Sequence, residues 1–412
     1  MPSPAILLAL CLVCSSASAQ QTITVSPSGR TRSITEAIAA ARPHDRILIK
    51  PGVYREPTIV IGKPVEIVGE GFPVLDGQSA RPIMTITADS VTVRGIHFQH
   101  VGSSFVEDWA ALRVASANAC VIENNVIDDA FFGIYLARVT KCSIKGNVIR
   151  GRHSREMASG NGIHIWQSSQ IDIARNRITG HRDGIYFEFV KNSTITANVS
   201  EKNLRYGLHF MFSDDCRYTS NIFRSNGAGV AVMFTHRVQM VANRFENNWG
   251  SAAYGLFLKE ISDSRLERNV FSRNTVGLVA DGANRLQAIE NEFIDNGWAV
   301  KLEASTDEAL FSRNNFSGNT FDVSTNSSRQ SGTFAGNYWQ DYSGYDLDRN
   351  GVGDVPFRPV RLFSVIVAQN SPTIILLRSP FVRLLDTAER IIPALTPELL
   401  ADASPAMRRI RW

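Results

Sequence analysis

The sequence predicts an all-β protein: a single-stranded right-handed parallel β-helix with an N-terminal helical cap and a C-terminal, partly helical tail. The first observation behind this prediction is an asparagine that returns along the chain, mostly at intervals of 22 or 23 residues. The second is that apolar and polar residues alternate between Gly, Asn or Asp breaks, which is a strand pattern. The third is a repeated segment opened by glycine, as in Gly162-Ile-His-Ile and Gly184-Ile-Tyr-Phe. A fixed period of about 22 residues is typical of a solenoid, whose repeats bury their apolar faces against their neighbours.

The recurring asparagines are predicted to mark one corner of each coil. Asparagine tolerates left-handed backbone, and stacked amides can hydrogen-bond from coil to coil. An apolar or small residue stands three positions before each one, and a large residue usually stands two positions after it. The repeat consists of Asn125, Asn147, Asn176, Asn198, Asn221, Asn243, Asn269, Asn291, Asn314 and Asn337.

The N-terminal segment predicts export. Residues 1–19 contain an apolar run from Ile6 to Val13 and end in Ala17-Ser18-Ala19, the small-residue pattern of a signal-peptide cleavage site. We therefore expect cleavage after Ala19, a periplasmic location and no transmembrane span in the mature chain.

The mature chain is divided by pattern into three parts. Residues 20–90 are predicted to form the cap and first coils, with an amphipathic helix from Ser33 to Arg42 that hides the open solenoid edge. Residues 91–340 are the regular β-helix, and residues 341–412 are a capping loop followed by a docking tail.

Composition is consistent with a large apolar core and gives no sign of a nucleic-acid partner. The 412 residues are 44% hydrophobic, and the formal charge of +4 is spread among interspersed acidic and basic residues. The three cysteines after the signal segment are Cys120, Cys142 and Cys216, each five residues before a repeated asparagine. This shared position indicates small apolar core residues. Cys120 and Cys142 lie on adjacent coils, so a disulfide between them is possible.

Three coils are expanded, all at the same predicted corner. Insertions confined to one side of a solenoid usually carry function, although simple loop growth explains them equally well. Their polar or sulfur-containing residues include His97, His100, Glu107, Asp108, His153, Glu156 and Met157.

Two outward columns follow the glycine positions and carry unusual chemistry. Residues one apart on a strand face opposite sides, so matching positions of successive coils should form vertical rows. The first row is Tyr135, His164, Tyr186, His209, Ala231 and Phe257. The second is Trp166, Glu188, Met211, Met233 and Lys259, with His236 following Met233.

These columns are compatible with three interpretations. An apolar or aromatic surface normally marks a binding site. Aromatic rows suit sugar stacking, whereas His with Met suits a soft metal such as copper; the third interpretation is a protein-docking surface. A polysaccharide lyase or epimerase needs clustered carboxylates with a base, or an Arg beside calcium. No Asp/His cluster repeats on one outward column, which disfavours catalysis.

A polar loop follows the last coil. Asp346, Asp348, Asn350, Gly351 and Asp354 occupy positions 1, 3, 5, 6 and 9 of a calcium-loop pattern, but position 12 is Phe357 instead of glutamate. The loop is therefore either a weak calcium site or an Asx-turn closure of the solenoid.

The tail contains apolar runs broken by Pro and Arg. A helix there would have one apolar face, formed by Phe381, Leu384, Leu385, Ala388 and Ile392. It is too charged to span a bilayer. It can dock a membrane partner, pack over the end of the solenoid, or do both.

Three stretches resemble the NosD family, the periplasmic maturation proteins of nitrous oxide reductase. They are Gly336 to Pro359, Tyr206-Gly-Leu-His-Phe-Met-Phe-Ser213, and the ending Arg378-Ser-Pro followed by Leu-Leu-Asp-Thr-Ala-Glu-Arg390. The resemblance covers essentially the whole mature chain. It implies a role in building the copper–sulfide centre of the reductase, together with a membrane permease and a cytoplasmic ABC-type ATPase. It carries no agreed catalytic residues. Arg349-Asn350 stands where the family often has Gly-Asp, which removes an acidic ligand from the loop.

We therefore predict an exported accessory protein for copper-centre assembly, not an enzyme. The predicted copper face, which binds the metal transiently, consists of His164, His209, Met211, Met233 and His236. The predicted binding face around it consists of Tyr135, Trp166, Tyr186 and Phe257. The alternatives are a carbohydrate-binding or carbohydrate-modifying β-helix and a pure scaffold without a ligand.

Overall fold

The computed structural model describes residues 20–104, 106–152, 155–156, 159–250, 253–327, 332–377, 379–392 and 400–412. The predicted signal segment 1–19, together with His153 and Met157 of the inserted corner, lies outside these residues. The chain winds into a parallel β-solenoid of about 13 turns with coils of about 23 residues. Every coil contributes strands to three parallel sheets, here named A, B and C. The predicted fold class is confirmed.

Sheet A stacks fourteen short strands: β1 Thr22–Val25, β2 Arg46–Ile49, β5 Glu66–Gly69, β8 Thr92–Arg94, β11 Val121–Glu123, β14 Ser143–Lys145, β17 Asp172–Ala174, β20 Thr194–Thr196, β23 Arg217–Thr219, β26 Gln239–Val241, β29 Arg265–Glu267, β32 Gln287–Ile289, β35 Ala309–Ser312 and β38 Gly332–Ala335. Their middle residues point into the core, as with Ile122, Ile144 and Ile173, which are fully buried.

Sheet B stacks thirteen strands: β3 Val53–Tyr54, β6 Val74–Asp76, β9 His97–Gln99, β12 Val126–Ala130, β15 Val148–Gly151, β18 Arg177–Thr179, β21 Val199–Glu201, β24 Ile222–Arg224, β27 Arg244–Glu246, β30 Val270–Ser272, β33 Glu292–Ile294, β36 Asn315–Ser317 and β39 Tyr338–Trp339. The large residue two positions after each asparagine lies here and points inward. From Phe245 onward, the rings of Phe245, Phe271, Phe293 and Phe316 stack in parallel at centroid distances of 4.8, 4.8 and 4.9 Å.

Sheet C stacks twelve strands: β4 Ile59–Ile61, β7 Met84–Ile86, β10 Ala110–Ala115, β13 Phe132–Ala137, β16 Ile163–Trp166, β19 Asp183–Glu188, β22 Tyr206–Met211, β25 Ala228–His236, β28 Tyr254–Ser262, β31 Val276–Asn284, β34 Trp298–Leu302 and β37 Phe321–Thr325. The three expanded segments all join a strand of sheet B to the next strand of sheet C, as the sequence predicted.

The repeated asparagines form a buried ladder at the corner between sheets A and B. The Asn147 side-chain N–H donates to Oδ1 of Asn176 at 2.9 Å, and the same bond repeats up to Asn314 and Asn337 at 3.0 Å. A second ladder lies five residues after the first, and the sequence analysis missed it. It begins with the bond from Asn203 to Asn226 and ends with that from Asn296 to Asn319.

The N-terminal cap contains helix α1, Ile34–Ala40, with Ser33 accepting a hydrogen bond from the Glu36 N–H as its N-cap. Ile34, Ala37, Ile38 and Ala41 are buried along one side of this segment. Cys120, Cys142 and Cys216 are buried free thiols.

The C-terminal part folds back on the solenoid. Helices α2 Leu362–Gln369 and α3 Pro380–Ile391 flank a 3-10 helix over Ser371–Leu376. Val360 and Leu400 are buried in the main core, so both ends of this helical module are anchored. Asp402 is fully buried and continues the asparagine ladder, since its carboxylate accepts from the Asn337 side chain at 3.0 Å. Within the residues that the structure covers, no helix is long and apolar enough to cross a membrane.

Candidate functional site

The first outward column of sheet C forms a continuous stack of rings. Tyr135, His164, Tyr186 and His209 are paired in register on successive strands. Their ring centroids are 4.6, 4.7 and 5.0 Å apart. The vertical row predicted from the repeat therefore exists, while its role in binding stays a prediction.

The expectation that these side chains face solvent is wrong for half of the stack. Tyr135 is 6% exposed and His209 is 7% exposed, although both point away from the solenoid core. Tyr135 packs with Ala110 and Ala137, with Phe132 and Trp166 beside them, in a small apolar cluster outside the core. Ring stacking and neighbouring side chains cover a column that strand alternation alone assigns to the surface.

The second outward column brings two thioethers together. Met211 and Met233 are register partners on adjacent strands, so their Cβ atoms lie about 4.8 Å apart. Both side chains are half-buried. The Tyr186 hydroxyl lies 3.9 Å from Sδ of Met211, which links this column to the first. Lys259, next in the column, is neutralised by Asp281 at 3.1 Å.

Asp183, Arg205 and His209 form a cluster of a carboxylate, a guanidinium and an imidazole. The Arg205 guanidinium donates to both oxygens of Asp183, from Nε at 2.9 Å and from Nη2 at 2.6 Å. Nη2 also lies 3.1 Å from Nδ1 of His209, and Nδ1 is 3.6 Å from Oδ2 of Asp183. Burial alone would raise the pKa of Asp183, but the contacts with His209 and Arg205 outweigh it and lower that pKa.

Asp183 and Arg205 were not among the residues predicted from the sequence, although both contact His209 of the first outward column. A signal was present in the sequence. Asp183 directly precedes Gly184 of the repeated segment, where the other glycine-opened coils carry Phe132, Asn161, Tyr206, Ala228, Tyr254 or Val276. An acidic residue in an otherwise neutral column is a detectable exception.

His164 is held as a neutral imidazole. Burial, followed by the charge of Arg182, lowers its pKa to about 3. Its Nδ1 lies 3.0 Å from the side-chain nitrogen of Asn161. Burial also raises the pKa of Tyr186 to about 12. At neutral pH the stack therefore carries no charge on His164 or Tyr186.

The coil above His209 has small outward residues. Ala231 is the register partner of His209, and Ala228 is the partner of Tyr206. Tyr206 and Tyr254 stand two coils apart, about 9.6 Å along the stack, yet their ring centroids are only 6.3 Å apart. Their hydroxyls lie 3.3 Å from each other. The two rings thus lean together over Ala228, which is buried, as is Ala231.

Other predicted residues lie away from the Tyr206–Tyr254 pair. His236 is exposed and follows the left-handed residue Phe234, so it stands beyond the corner that ends the Met233 face. Its Nδ1 contacts the Ser262 hydroxyl at 2.7 Å. His97 and His100 lie at the sheet B side and pair with Asp128 at 2.9 Å and Asp76 at 3.0 Å.

The remaining predicted residues border the columns. From the inserted corner, Glu156 approaches Arg205 at 4.0 Å, and Glu107 accepts a hydrogen bond from the Trp109 indole at 2.8 Å. Trp166 lies under the Arg138 guanidinium at 5.5 Å, and Phe257 lies 5.1 Å from the Tyr254 ring.

An exposed phenylalanine ladder runs beside the methionines, and the sequence analysis did not identify it. Phe189, Phe212 and Phe234 stack with ring centroids 5.1 Å apart. All three have positive φ, near +50°, a conformation that bulky residues rarely adopt. Phe189 and Phe212 are 46% and 39% exposed, so this is the most solvent-accessible aromatic surface next to the methionine pair.

The C-terminal polar loop uses its carboxylates internally. Asp346 accepts from the backbone N–H groups of Asn350 and Gly351, and Asp354 accepts from that of Leu347. Over the described parts of the chain, no group of three or more His, Cys, Asp or Glu side chains is arranged to hold a metal. The Asx-turn interpretation accounts for the loop, and calcium has no support.

The helical module packs on the same face as the columns. Phe363 of α2 contacts Phe321, whose ring lies 5.3 Å from that of Trp298, and Val382 and Leu385 of α3 join the cluster. The predicted apolar face of α3 instead points mainly outward: Phe381 is 49% exposed and Leu384 is 68% exposed. Four coils of about 4.8 Å separate Met233 from Phe321, so the module is offset from the methionines by about 20 Å along the solenoid axis.

Comparisons with known proteins agree on fold and family. Residues 148–344 match a family described as "NosD: Periplasmic copper-binding protein". Two relatives named "Probable ABC transporter binding protein NosD" are similar over nearly the whole chain. The protein from Pseudomonas aeruginosa is 31% identical, with 85% of each chain covered, and that from Stutzerimonas stutzeri is 26% identical, with 84% of each covered.

Solved structures show the fold alone. The catalytic unit of a GH87 α-1,3-glucanase from Streptomyces thermodiastaticus superposes with a TM-score of 0.60 at 14% identity, covering 80% of this chain and 72% of the glucanase. The A-module of the Azotobacter vinelandii mannuronan C-5 epimerase AlgE6 gives 0.57 at 13% identity, covering 74% and 92%. The match to the Pseudomonas protein decides the family, and this chain is a member of the NosD family.

Proposed function

We propose that this protein is an exported accessory factor that binds copper transiently, as Cu(I), during assembly of the copper–sulfide centre of nitrous oxide reductase. The proposal combines the copper-binding description of the family with the donor set on sheet C. In it, copper is cargo that passes over the protein, and no residue is assigned a catalytic role.

The observation that carries the proposal is the register pairing of Met211 with Met233 beside the ring stack that contains His209. Thioethers are soft donors that favour Cu(I) over Zn²⁺, Mg²⁺ or Ca²⁺. The absence of a His/Cys/Asp/Glu cluster over the described residues argues in the same direction, because a hard or borderline ion needs such ligands. The half-buried thioethers are close enough to share one ion and accessible enough to release it.

The test is anaerobic Cu(I) titration against a competing chromophoric chelator. Replacing both Met211 and Met233 with leucine keeps the volume and removes the sulfur, so we expect at least a tenfold loss of affinity. Met407→Leu, far from sheet C, is the matched control and should leave affinity unchanged. Equal affinity in the double variant and the parent would remove this face from the proposal.

The helical module is the proposed contact to the membrane partner, an ABC-type permease with its ATPase. The names of the relatives support an ABC transporter, and the exposed apolar residues of the module support a docking role. Ile375 is 87% exposed and Ile391 is 74% exposed, while the module itself is anchored at both ends. Because the module packs on the outward face of sheet C, the transporter and the methionine pair would lie at two ends of the same surface.

A charge introduced into the module tests this contact. Leu384→Asp should abolish co-purification with the permease from detergent-solubilised membranes without lowering the melting temperature, because Leu384 is mostly exposed. Thr387→Asp adds the same charge to an exposed position of the same helix and should retain the complex. Loss of the complex in both variants would indicate a general charge effect and refute a specific apolar contact.

A saccharide-binding function is the second candidate, and the Asp183–Arg205–His209 cluster with its tyrosine walls favours it. Such a cluster suits an acidic sugar in a β-helix groove. Tight binding of uronate oligosaccharides in a glycan array, together with no Cu(I) affinity, would select this function. Absence of oligosaccharide binding would leave the copper proposal as the single candidate.

A further inference from the structure

We propose that residues 408–412 form a contact for anionic phospholipid headgroups, through which the protein rests on a membrane surface. The groups concerned are the guanidinium groups of Arg408 and Arg411 and the indole of Trp412. The inference goes beyond the proposed function, because it adds a lipid contact to the docking at the transporter and does not depend on copper binding. Its support is the charge of the segment, its fixed position and the apolar surface at the same level of the solenoid.

The segment carries more positive charge than its surroundings neutralise. Three of its five residues are arginines, and an open groove of about 950 Å³ is lined by the segment and by Glu292. Glu292 forms an ion pair with Arg409. Among the residues that the structure describes, no carboxylate lies within ion-pair distance of Arg408 or Arg411. Two guanidinium groups of this groove are therefore uncompensated, and their charge attracts an anion.

Guanidinium groups beside an indole suit the headgroup region of a phospholipid bilayer. A guanidinium group can bind two phosphate oxygens at once, and tryptophan is enriched where membrane and water meet because its ring is apolar and its N–H is polar. Arg408, Arg411 and Trp412 are all exposed, Trp412 by 41%. Because these side chains do not enclose a pocket, we assign the contact to membrane headgroups and not to a free phosphate ion.

The segment is held on sheet B, so its arginines are presented from a fixed position. The fully buried side chain of Asn315 binds the backbone of Ile410 twice. Its Oδ1 accepts from the Ile410 N–H at 3.0 Å, and its nitrogen donates to the Ile410 carbonyl at 3.0 Å. The Arg409–Glu292 ion pair adds a third attachment. A segment that is already ordered loses less conformational entropy when it binds a surface.

The helical module lies at the same level of the solenoid as this segment. Glu292 and Asn315 belong to β33 and β36 of sheet B, and the same two coils contribute β34 and β37 of sheet C, on which the module packs. The module exposes large apolar side chains, including Ile375 and Ile391. Such side chains enter the apolar part of a membrane interface, while basic residues contact its headgroups. A membrane at the C-terminal end of the solenoid would therefore meet both elements.

Flotation with lipid vesicles tests this contact in the absence of copper, reductase and transporter. The purified protein should bind vesicles of phosphatidylglycerol mixed with phosphatidylcholine, should bind pure phosphatidylcholine much less, and should be released as the salt concentration rises. Each arginine near an anionic surface contributes roughly fivefold to binding, so Arg408→Gln combined with Arg411→Gln should weaken binding to the anionic vesicles about 25-fold.

The matched control removes the same charge from the opposite end of the solenoid. Arg30→Gln combined with Arg32→Gln should bind the anionic vesicles as the parent does, since these arginines lie beside the first strand of sheet A. Both double variants should melt at the temperature of the parent, because all four arginines lie at the surface. A loss of binding in the first variant then reports the contact itself and not a loss of folding.

Three outcomes would overturn the inference. Equal binding of the parent to both kinds of vesicle would exclude an anionic headgroup, and equal losses in the two double variants would indicate an effect of net charge alone. Release from the vesicles by inorganic phosphate, but not by sodium chloride of the same ionic strength, would assign the groove to a free phosphate ion. None of these outcomes bears on the proposed function, because the vesicles contain neither copper nor the transporter.

Discussion

The asparagine ladder makes a quantitative prediction at Asn269. Its Oδ1 accepts from the backbone N–H of Asn243 at 2.9 Å and from the Asn243 side chain at 3.0 Å. Its own side-chain nitrogen donates to the Met240 carbonyl at 2.8 Å and to Asn291 at 3.0 Å. Asn269→Ala removes all four bonds and leaves two N–H groups of the fully buried Asn243 without acceptors.

The expected loss of stability follows from those two donors. A buried donor without an acceptor costs about 1 to 3 kcal/mol, so with two such donors the free energy of unfolding should fall by about 2 to 6 kcal/mol. The measurement is urea unfolding followed by circular dichroism. Exchange of the Asn243 amide hydrogen tests for local opening, because a solenoid holds each coil mainly through its neighbours.

Gln239→Ala is the matched control for the ladder. Gln239 is an exposed amide on a strand of sheet A, so its removal should change the unfolding free energy by no more than about 0.5 kcal/mol. A loss below about 0.5 kcal/mol for Asn269→Ala, with unchanged amide protection at Asn243, would refute the assignment of structural importance to the ladder.

Three further predictions concern the core and the C-terminal end. Burial raises the pKa of Asp322 to about 6, so the native state holds this proton more tightly than the unfolded chain does, and stability should decrease as pH rises from about 4 to 6. Asp322→Asn should therefore melt at a higher temperature than the parent at pH 7, with the difference shrinking near pH 4; equal melting temperatures at pH 7 would contradict this. Asp402→Ala removes a carboxylate that accepts from Asn337 at 2.9 Å and from the Trp339 indole at 3.1 Å, so limited proteolysis should release residues 400–412 from the variant but not from the parent. Gly229→Ala should cost about 1 to 3 kcal/mol in urea unfolding, since an added Cβ would lie 2.2 Å from the Gly255 carbonyl oxygen and backbone cannot move aside cheaply; wild-type stability would show that neighbouring coils can separate there.

The repeat could be predicted from the sequence because it is a local property. Period, strand alternation and the small residue opening each sheet C strand follow from chain geometry, and they place Met211 beside Met233 without any knowledge of loops. The second ladder, from Asn203 to Asn319, was equally visible at five residues beyond the first. It was missed because only one asparagine in each coil was interpreted.

The candidate site could be predicted only in part. Strand alternation assigns His209 to the outer surface, but its side chain is covered by Tyr206 and Arg205 of its own coil and by Tyr186 of the preceding coil. The contact between Asp183 and His209 joins residues 26 positions apart whose meeting depends on the stacking of two coils. His236 was predicted on the copper face because it follows Met233 closely in the sequence. The left-handed backbone at Phe234 changes the direction of the chain before His236, so its side chain lies away from that face.

For this protein, the sequence by itself determined the solenoid, its corners and the rows of matching side chains, because each depends on a short pattern repeated at a constant interval. The tertiary structure decided which of those rows are covered and how the chain closes its end. Those properties depend on side chains that lean across coils and on the return of residues 400–412 to the solenoid. Such contacts are set by the packing of distant segments, and no local pattern in the chain encodes them.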